Sequence, residues 1–288
     1  MKLEETNVIE YLRAVETKEA VVDAIVDNLV YYQNLDTAEA ALDYSGSIYN
    51  WFLGECVSRN QYAVFTERQY EQIHALYIKF VFALRGLASA EAARSDILRI
   101  VGEHRRALID ILREVDGLEP LARTILPCAE YSLALQKSVL RLDPAVLMEP
   151  ILDIGCGKKA LLVKSLRREN RRAVGIDQYV PLDNSGDVLC RNWLEFEYLP
   201  GYWGSVIAHM SFANHFIFTR NRGTSLAKKY RETYYMILAS LKIGGAFSYT
   251  PSLPEVEKTL DRSKYRVEQF VNVPGKSELN TTRVTRLG

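Results

Sequence analysis

Two histidines near the end of one apolar segment are the strongest candidates for acid–base chemistry in the chain. Residues 204–209 form a β-like run that ends at His209, and His215 follows six positions later. An imidazole titrates near neutral pH, so it can take the proton that an attacking oxygen or nitrogen must lose. Because parallel α/β sheets bind ligands at the carboxyl ends of their strands, we expect His209 and His215 to face a crevice.

A glycine turn follows another short apolar run, Ile151–Gly157, and a helical pattern begins at Ala160. The order strand, glycine turn, helix lets a ligand approach the backbone and offers free N–H groups at the helix N-terminus. The turn continues neither as a dinucleotide fingerprint nor as a Gly-Lys-Ser/Thr loop, so nucleotide phosphates are not favoured. The alternative is that the glycines only form the turn between strand and helix and bind no ligand. The candidate ligand contacts of this turn are Asp153, Gly155, Cys156 and Gly157.

A second apolar run, residues 172–177, ends in an acid. Asp177 lies 24 positions after Asp153, the separation expected when one helix crosses between adjacent parallel strands. A carboxylate at this place can accept hydrogen bonds from both hydroxyls of a ribose. The alternative is a solvated acid at a strand end.

Ile151–Gly157 and Val174–Asp177 together resemble motif I and the acidic end of strand two in class I S-adenosylmethionine-dependent methyltransferases. The resemblance covers residues 145–288 and implies an α/β fold with a Rossmann-like, seven-stranded sheet. It implies S-adenosylmethionine as cofactor and S-adenosylhomocysteine as product. In this family the glycine turn packs against the methionine moiety, and the acid at the position of Asp177 holds the ribose.

The resemblance also implies further cofactor contacts. The position after strand three often binds the adenine, so Asn192 is expected to accept from the amino group and Trp193 to stack on the purine. A loop Asn and a core Trp are the alternatives. The helix before strand one often closes over the cofactor, which makes Tyr131 and Gln136 candidates by position, with helix packing equally open. His209 would face the reacting methyl group and contact the cofactor.

The apolar runs predict the seven strands of this sheet and an amphipathic helix at residues 225–241, after which Lys242 to Gly245 would form a glycine cap and turn. The family places its last two strands antiparallel at the sheet edge. The predicted strands are residues 148–154, 172–177, 187–190, 204–209, 246–250, 266–271 and 282–287.

The first half of the chain has apolar residues at helical spacing throughout and predicts an all-α bundle of about six helices. Thr17, Thr37 and Thr66 are candidate N-caps. We expect a helical domain at residues 1–143 and the methyltransferase-like domain at residues 144–288. The aromatic side chains of the bundle are mostly core, although some could line a lid over the substrate, and a dimerisation role is the alternative. The predicted helices are residues 8–15, 20–35, 37–57, 67–87, 91–115 and 120–142.

The composition of the chain limits the classes of partner that we expect. Thirty-six basic and thirty-six acidic residues cancel, so no global field attracts nucleic acid or an anionic membrane. The four cysteines form no Cys-x-x-Cys pair, so we expect no metal site and reduced thiols. The acidic, polar N-terminus and the lack of a long apolar run predict a cytoplasmic protein with a small-molecule partner. The sequence is also compatible with a homodimer.

Three functions fit these patterns. The first is methyl transfer from S-adenosylmethionine to a small metabolite, with His209 or His215 accepting a proton. The absence of an Asn/Asp-Pro-Pro-Tyr/Phe signature after strand four argues against a nucleic-acid base or a glutamine as substrate. The second resembles nicotianamine synthase, which transfers the aminocarboxypropyl arm and leaves methylthioadenosine. The third is a non-catalytic, cofactor-binding interaction protein.

Overall fold

The computed structural model describes residues 8–87, 90–115, 118, 131–178, 186–223 and 225–288. The chain divides into two compact units, residues 1–128 and 129–288. We call them the helical unit and the sheet unit.

The described part of the helical unit contains six helices. The pattern predicted at residues 20–35 is interrupted at Asn28, whose side-chain amide donates to the Ala24 carbonyl and leaves two shorter helices. The helices are α1 Val8–Arg13, α2 Val15–Asp27, α3 Leu29–Gln33, α4 Ala38–Arg59, α5 Glu67–Arg85 and α6 Ala90–Arg113.

Two of the three predicted threonine caps are confirmed. The Thr37 hydroxyl accepts from the Ala40 amide at 3.0 Å and caps α4, and Thr66 forms a capping box with Gln69 at the start of α5. The prediction for Thr17 was wrong, because α2 begins two residues earlier and Thr17 is buried inside it.

The helical unit has its own apolar core. One cluster joins α2, α3, α5 and α6, and its members Leu84, Ile97 and Val101 are almost fully buried. Burying a side chain of this size stabilises a fold by about 1.5 to 3 kcal/mol. All members of the cluster belong to the helical unit, so this packing does not depend on the sheet.

The sheet unit contains the seven strands that the sequence predicts. The strands are β1 Ile151–Ile154, β2 Ala173–Asp177, β3 Val188–Cys190, β4 Trp203–His209, β5 Leu241–Thr250, β6 Tyr265–Phe270 and β7 Thr281–Arg286. Its helices are α7 Leu133–Val139, α8 Leu161–Arg168, α9 Phe212–Asn221, α10 Leu226–Ser240 and α11 Pro254–Glu257. Of the helix predicted at residues 120–142, positions 120–130 lie outside the described residues.

The strand order is β3-β2-β1-β4-β5-β7-β6. The first five strands are parallel, and β7 pairs antiparallel with both β5 and β6, as expected for the last two strands. The chain runs outward from β1 to β3 on one side and continues at β4 on the other side of β1. The boundary between β1 and β4 is therefore the topological switch point, where α/β sheets bind ligands.

Two local expectations need correction. The segment after β4, where we expected His215 to face a crevice, is the helix α9, which buries His215. The glycine turn predicted before β5 belongs to the strand, which starts at Leu241 and bulges where it passes β4. A Cβ on Gly245 would lie 2.7 Å from the Gly204 carbonyl oxygen, so glycine is required by this close passage of two backbones.

Candidate functional site

Asp153, in β1 beside the switch point, is a buried carboxylate with an unsatisfied oxygen. Only 2% of the residue is exposed, and its Oδ2 atom has no hydrogen-bond partner among the described residues. Burial raises the pKa of Asp153 to about 7, and the neighbouring charge of Asp177 adds to the effect. A buried ionised carboxylate without a partner is costly, so the site favours a ligand that brings a cation or a hydrogen-bond donor.

The glycine turn after β1 uses its two glycines for different purposes. Gly155 has φ +71°, and a Cβ there would lie 2.3 Å from Cβ of Ser211. Gly155 therefore lets the loop after β1 pack against the loop after β4. Gly157 has φ +73°, but a Cβ there would meet no atom of the described residues within 4 Å. Of the two glycines, Gly157 is thus the one where the turn is open to a ligand, as far as the described residues show.

The turn is tied to β2 through the predicted ribose acid. The amide of Gly157 donates to Oδ2 of Asp177 at 2.9 Å. Asp177 ends β2 and pairs with Cys190 of β3, so a parallel strand on each side of β2 fixes its position. Asp153, Gly157 and Asp177 are therefore brought together, as predicted from their spacing.

Cys156, between the two glycines, is buried and packs against β2. A Cβ on Gly175 would lie 2.7 Å from the Cys156 sulfur, so the strand needs glycine where the thiol rests. Burial raises the pKa of Cys156 well above its ordinary value, and the charges of Asp177 and Asp153 act in the same direction. A neutral thiol in this place is a packing group and a poor nucleophile.

His209 ends β4 on the other side of the switch point. It is 7% exposed, and within the described part of the chain its Nε2 atom has no hydrogen-bond partner. Burial lowers the pKa of His209 to about 4, so the ring is neutral at physiological pH. A neutral imidazole can accept a proton, which is the state that a general base requires.

Tyr131 lies against His209, and Gln136 binds the backbone of Tyr131. The rings of Tyr131 and His209 meet edge to face, with centroids 4.8 Å apart. The side-chain amide of Gln136 donates to the Tyr131 carbonyl at 2.9 Å and holds the segment before α7 in place. The structure thus brings Tyr131 to the end of β4, and Gln136 contacts the site through Tyr131.

The remaining predicted residues occupy the core behind the crevice. Trp193 is buried, and its indole N–H donates to the Tyr230 hydroxyl at 3.2 Å. His215 is 5% exposed and meets the Trp193 ring edge to face at 4.9 Å. Burial lowers the pKa of His215 to about 3. Asn192 is buried, and its Oδ1 accepts from the Leu194 amide at 2.9 Å, which closes a turn after β3.

Two residues at the site escaped sequence reasoning. The Ser211 hydroxyl donates to the Ile154 carbonyl at 2.6 Å and joins the ends of β1 and β4. Met210 has φ +53°, a left-handed conformation that is uncommon for this residue type, and its amide donates to the Thr250 carbonyl at 2.9 Å. No pattern in the sequence predicts either contact, because both depend on neighbouring strands that are distant along the chain.

The seven-stranded sheet, the antiparallel β7 and the glycine turn joined to an acid at the end of β2 agree with the resemblance. The fold is that of the class I S-adenosylmethionine-dependent methyltransferases. No family model and no curated protein matches the chain.

Several solved methyltransferase structures are similar to part of the chain. A methyltransferase from Bacteroides fragilis in complex with S-adenosylhomocysteine is 14% identical, with 56% of this chain and 84% of that chain covered and a TM-score of 0.37. The plantazolicin methyltransferase BpumL is 14% identical, with 76% and 99% covered and a TM-score of 0.36. A Burkholderia thailandensis 1,6-didemethyltoxoflavin N1-methyltransferase is 13% identical, with 54% and 79% covered and a TM-score of 0.35.

The methyltransferase-like crevice has a donor and acceptor set that fits S-adenosylmethionine. Asp153 offers an unsatisfied carboxylate oxygen to an ammonium group, and the open face of Gly157 admits a ligand atom. Among the described residues, no three His, Cys, Asp or Glu side chains are grouped to hold a metal ion. Within the same residues, no helix is both long and apolar enough to cross a membrane.

Proposed function

We propose that the protein is an S-adenosylmethionine-dependent methyltransferase with a small-molecule acceptor. One observation carries the proposal: two buried side chains with unsatisfied polar atoms, Asp153 and His209, lie on the two strands that flank the switch point. Unpartnered buried polar atoms are rare in native folds and are explained where a ligand completes them. The adjacent glycine turn supplies an approach for that ligand.

Within this proposal the carboxylates hold the cofactor. Asp177 accepts hydrogen bonds from the ribose hydroxyls, and Asp153 faces the ammonium group of the methionine portion. The amide of Gly157, which donates to Asp177, keeps that carboxylate aligned. When bound, S-adenosylmethionine supplies an activated methyl group, so the chain needs to orient the acceptor and to exclude water.

His209 is our proposed proton acceptor. Its ring is neutral and lies at the end of β4, where the acceptor must approach a ligand held by β1 and β2. Tyr131 packs against the ring edge to face and limits its rotation. His215 is enclosed by Trp193 and Tyr230, so we assign it a packing role.

The proposal is tested by the product formed from S-adenosylmethionine. The full chain is incubated with the cofactor and fractions of a metabolite extract, and mass spectrometry follows the adenosine-containing product. We expect S-adenosylhomocysteine together with an acceptor heavier by one methyl group. His209→Gln should reduce the rate by about 100-fold or more, the usual contribution of a general base, with S-adenosylhomocysteine affinity retained.

The matched control is His215→Gln, which should lower the free energy of unfolding and leave the rate per folded molecule nearly unchanged. Accumulation of methylthioadenosine would instead show that the protein transfers the aminocarboxypropyl arm and not the methyl group. Cofactor binding without any product across all fractions would reject the enzymatic proposal and favour a binding protein.

A further inference from the structure

The helical unit contains a cavity of about 580 Å³ that the proposed methyl transfer does not use. Its lining comes from residues between Val8 and Leu108, all within the helical unit. Protein interiors have few voids larger than a water molecule, whereas small-molecule sites span about 300 to 1,000 Å³. The cavity therefore has the size of a ligand site.

The lining is mainly aromatic. Phe52, Tyr77 and Phe80 form a buried part of the wall, whereas Tyr31 and Trp51 remain 52% and 56% exposed. Tyr31, Tyr32 and Tyr44 contact one another edge to face, with centroids 5.3 to 6.0 Å apart. Rings fixed in this way present flat apolar faces and hydroxyl groups at little cost in conformational entropy.

The two charged side chains of the lining have different partners. Glu55 pairs with Arg59 at 2.8 Å. The Arg105 guanidinium donates to the carbonyls of Leu12 and Ala14, but its Nε atom is buried and has no hydrogen-bond partner among the described residues. The lining thus favours a ligand that carries a hydrogen-bond acceptor.

His104, the one histidine of the lining, is packed as an aromatic ring. It stacks on Phe80 with centroids 4.4 Å apart and meets Tyr77 edge to face at 4.7 Å. Burial lowers the pKa of His104 to about 4, so the ring adds no charge at neutral pH. The wall is accordingly both rigid and uncharged at this point.

We propose that the helical unit binds a planar aromatic small molecule with a hydrogen-bond acceptor in this cavity. Binding uses the aromatic faces of the wall for stacking and the tyrosine hydroxyls for one or two hydrogen bonds. Since every described residue of the lining belongs to the helical unit, we expect binding without S-adenosylmethionine or its product.

The test is a calorimetric titration of the full chain, without cofactor, with 2-naphthol and with its saturated counterpart decahydro-2-naphthol. The two probes share the hydroxyl group, but only 2-naphthol is planar and aromatic. We expect 2-naphthol to bind with an affinity at least about 10-fold higher, because only a flat aromatic ring can stack on the rings of the wall. Equal or tighter binding of the saturated probe would overturn the aromatic class.

Two variants fill the cavity from different helices. Ala24→Phe in α2 and Ile48→Trp in α4 each place a large side chain at a lining position, and each should weaken 2-naphthol binding by about 10-fold or more. The control is Ala20→Phe, an exposed position of α2 outside the lining, which should keep the affinity. Circular dichroism confirms that each variant is folded. The proposed site would be overturned if the wild type did not bind 2-naphthol, or if both filled variants bound it with wild-type affinity.

Discussion

At the scale of single residues, Asp153 determines how the crevice responds to pH. Its carboxylate is buried next to Asp177, and one oxygen has no partner. Below about pH 7 the folded chain keeps this acid protonated, and above it the folded chain carries a buried charge. A cationic ligand would bind the ionised form better, so binding should release a proton below pH 7.

The same acid makes a prediction about stability. The pKa of Asp153 rises from about 3.8 in the unfolded chain to about 7 in the folded one. Between these values the unfolded state has lost the proton and the folded state retains it, so this residue lowers stability as pH rises. Asp153→Asn removes that dependence. The free energy of unfolding of the variant minus that of the wild type should increase between pH 4 and pH 7 and become constant above pH 7.

Urea unfolding at half-unit steps of pH measures this difference, and an increase of at least about 1 kcal/mol is expected. The histidines with lowered pKa values affect both proteins, so their contribution largely cancels in the difference. A difference that stays flat from pH 4 to pH 8 would show that Asp153 is not held in its protonated form.

Residue types and spacing were enough to predict that Asp153, Gly157 and Asp177 meet. Both acids end or adjoin apolar strands, and one crossover helix makes those strands neighbours. The environments of Trp193 and His215 could not be predicted in this way, because α10 and α9 supply the Tyr230 hydroxyl and the surrounding rings. Burial by elements distant along the chain leaves no local signal.

At the scale of elements, the glycine turn after β1 has two roles. It packs against the loop after β4, and it offers a contact to a ligand. Ser211 fills the space that a side chain on Gly155 would need, and its hydroxyl binds the Ile154 carbonyl. Gly157 lies on the open side of the same turn. The sequence predicts the turn itself, but only the packing of β4 beside β1 separates the two roles.

Alanine at each glycine should therefore have a different effect. Gly155→Ala combines a left-handed φ with a 2.3 Å overlap and should lower the free energy of unfolding by about 2 to 4 kcal/mol. Gly157→Ala meets no neighbour and should cost about 1 to 2 kcal/mol from its φ alone.

Cofactor binding should reverse this order among the folded proteins. The new methyl group of Gly157→Ala projects into the open space of the turn, so S-adenosylhomocysteine affinity should fall by about 10-fold or more. Urea unfolding and calorimetry measure the two effects on the same samples. Full affinity in Gly157→Ala would remove this face of the turn from the cofactor site.

At the scale of the whole molecule, each unit has a separate core. The cluster around Leu84 and Ile97 belongs to the helical unit, and the cluster around Ile151 and Leu166 belongs to the sheet unit. The sequence predicts both units. The apolar spacing is helical throughout the first half, whereas in the second half short apolar strands alternate with helices. It could not predict the cavity of the helical unit, because a void depends on how side chains from six helices fail to fill one space.

Deleting the helical unit should separate binding from turnover. A fragment of residues 129–288 retains all seven strands and should fold, as judged by circular dichroism and a cooperative unfolding transition. We propose that it keeps binding S-adenosylhomocysteine, because Asp153, Gly157 and Asp177 all belong to the sheet unit, and that turnover requires the helical unit, so the fragment forms no methylated product. Full turnover by the folded fragment would assign the helical unit an interaction role instead.

The central claim is that the ends of β1 and β2 bind S-adenosylmethionine through Asp177. Its most direct test is a calorimetric titration of S-adenosylhomocysteine into the full chain, Asp177→Ala and the control Asp187→Ala, an acid that pairs with Arg167 outside the crevice. Losing one charge-assisted hydrogen bond costs about 1.5 to 3 kcal/mol, or roughly 10- to 150-fold in affinity. The account predicts one-to-one binding by the wild type, that loss in Asp177→Ala, and wild-type affinity in Asp187→Ala. No heat of binding with the wild type, or equal affinity in all three proteins, would contradict it.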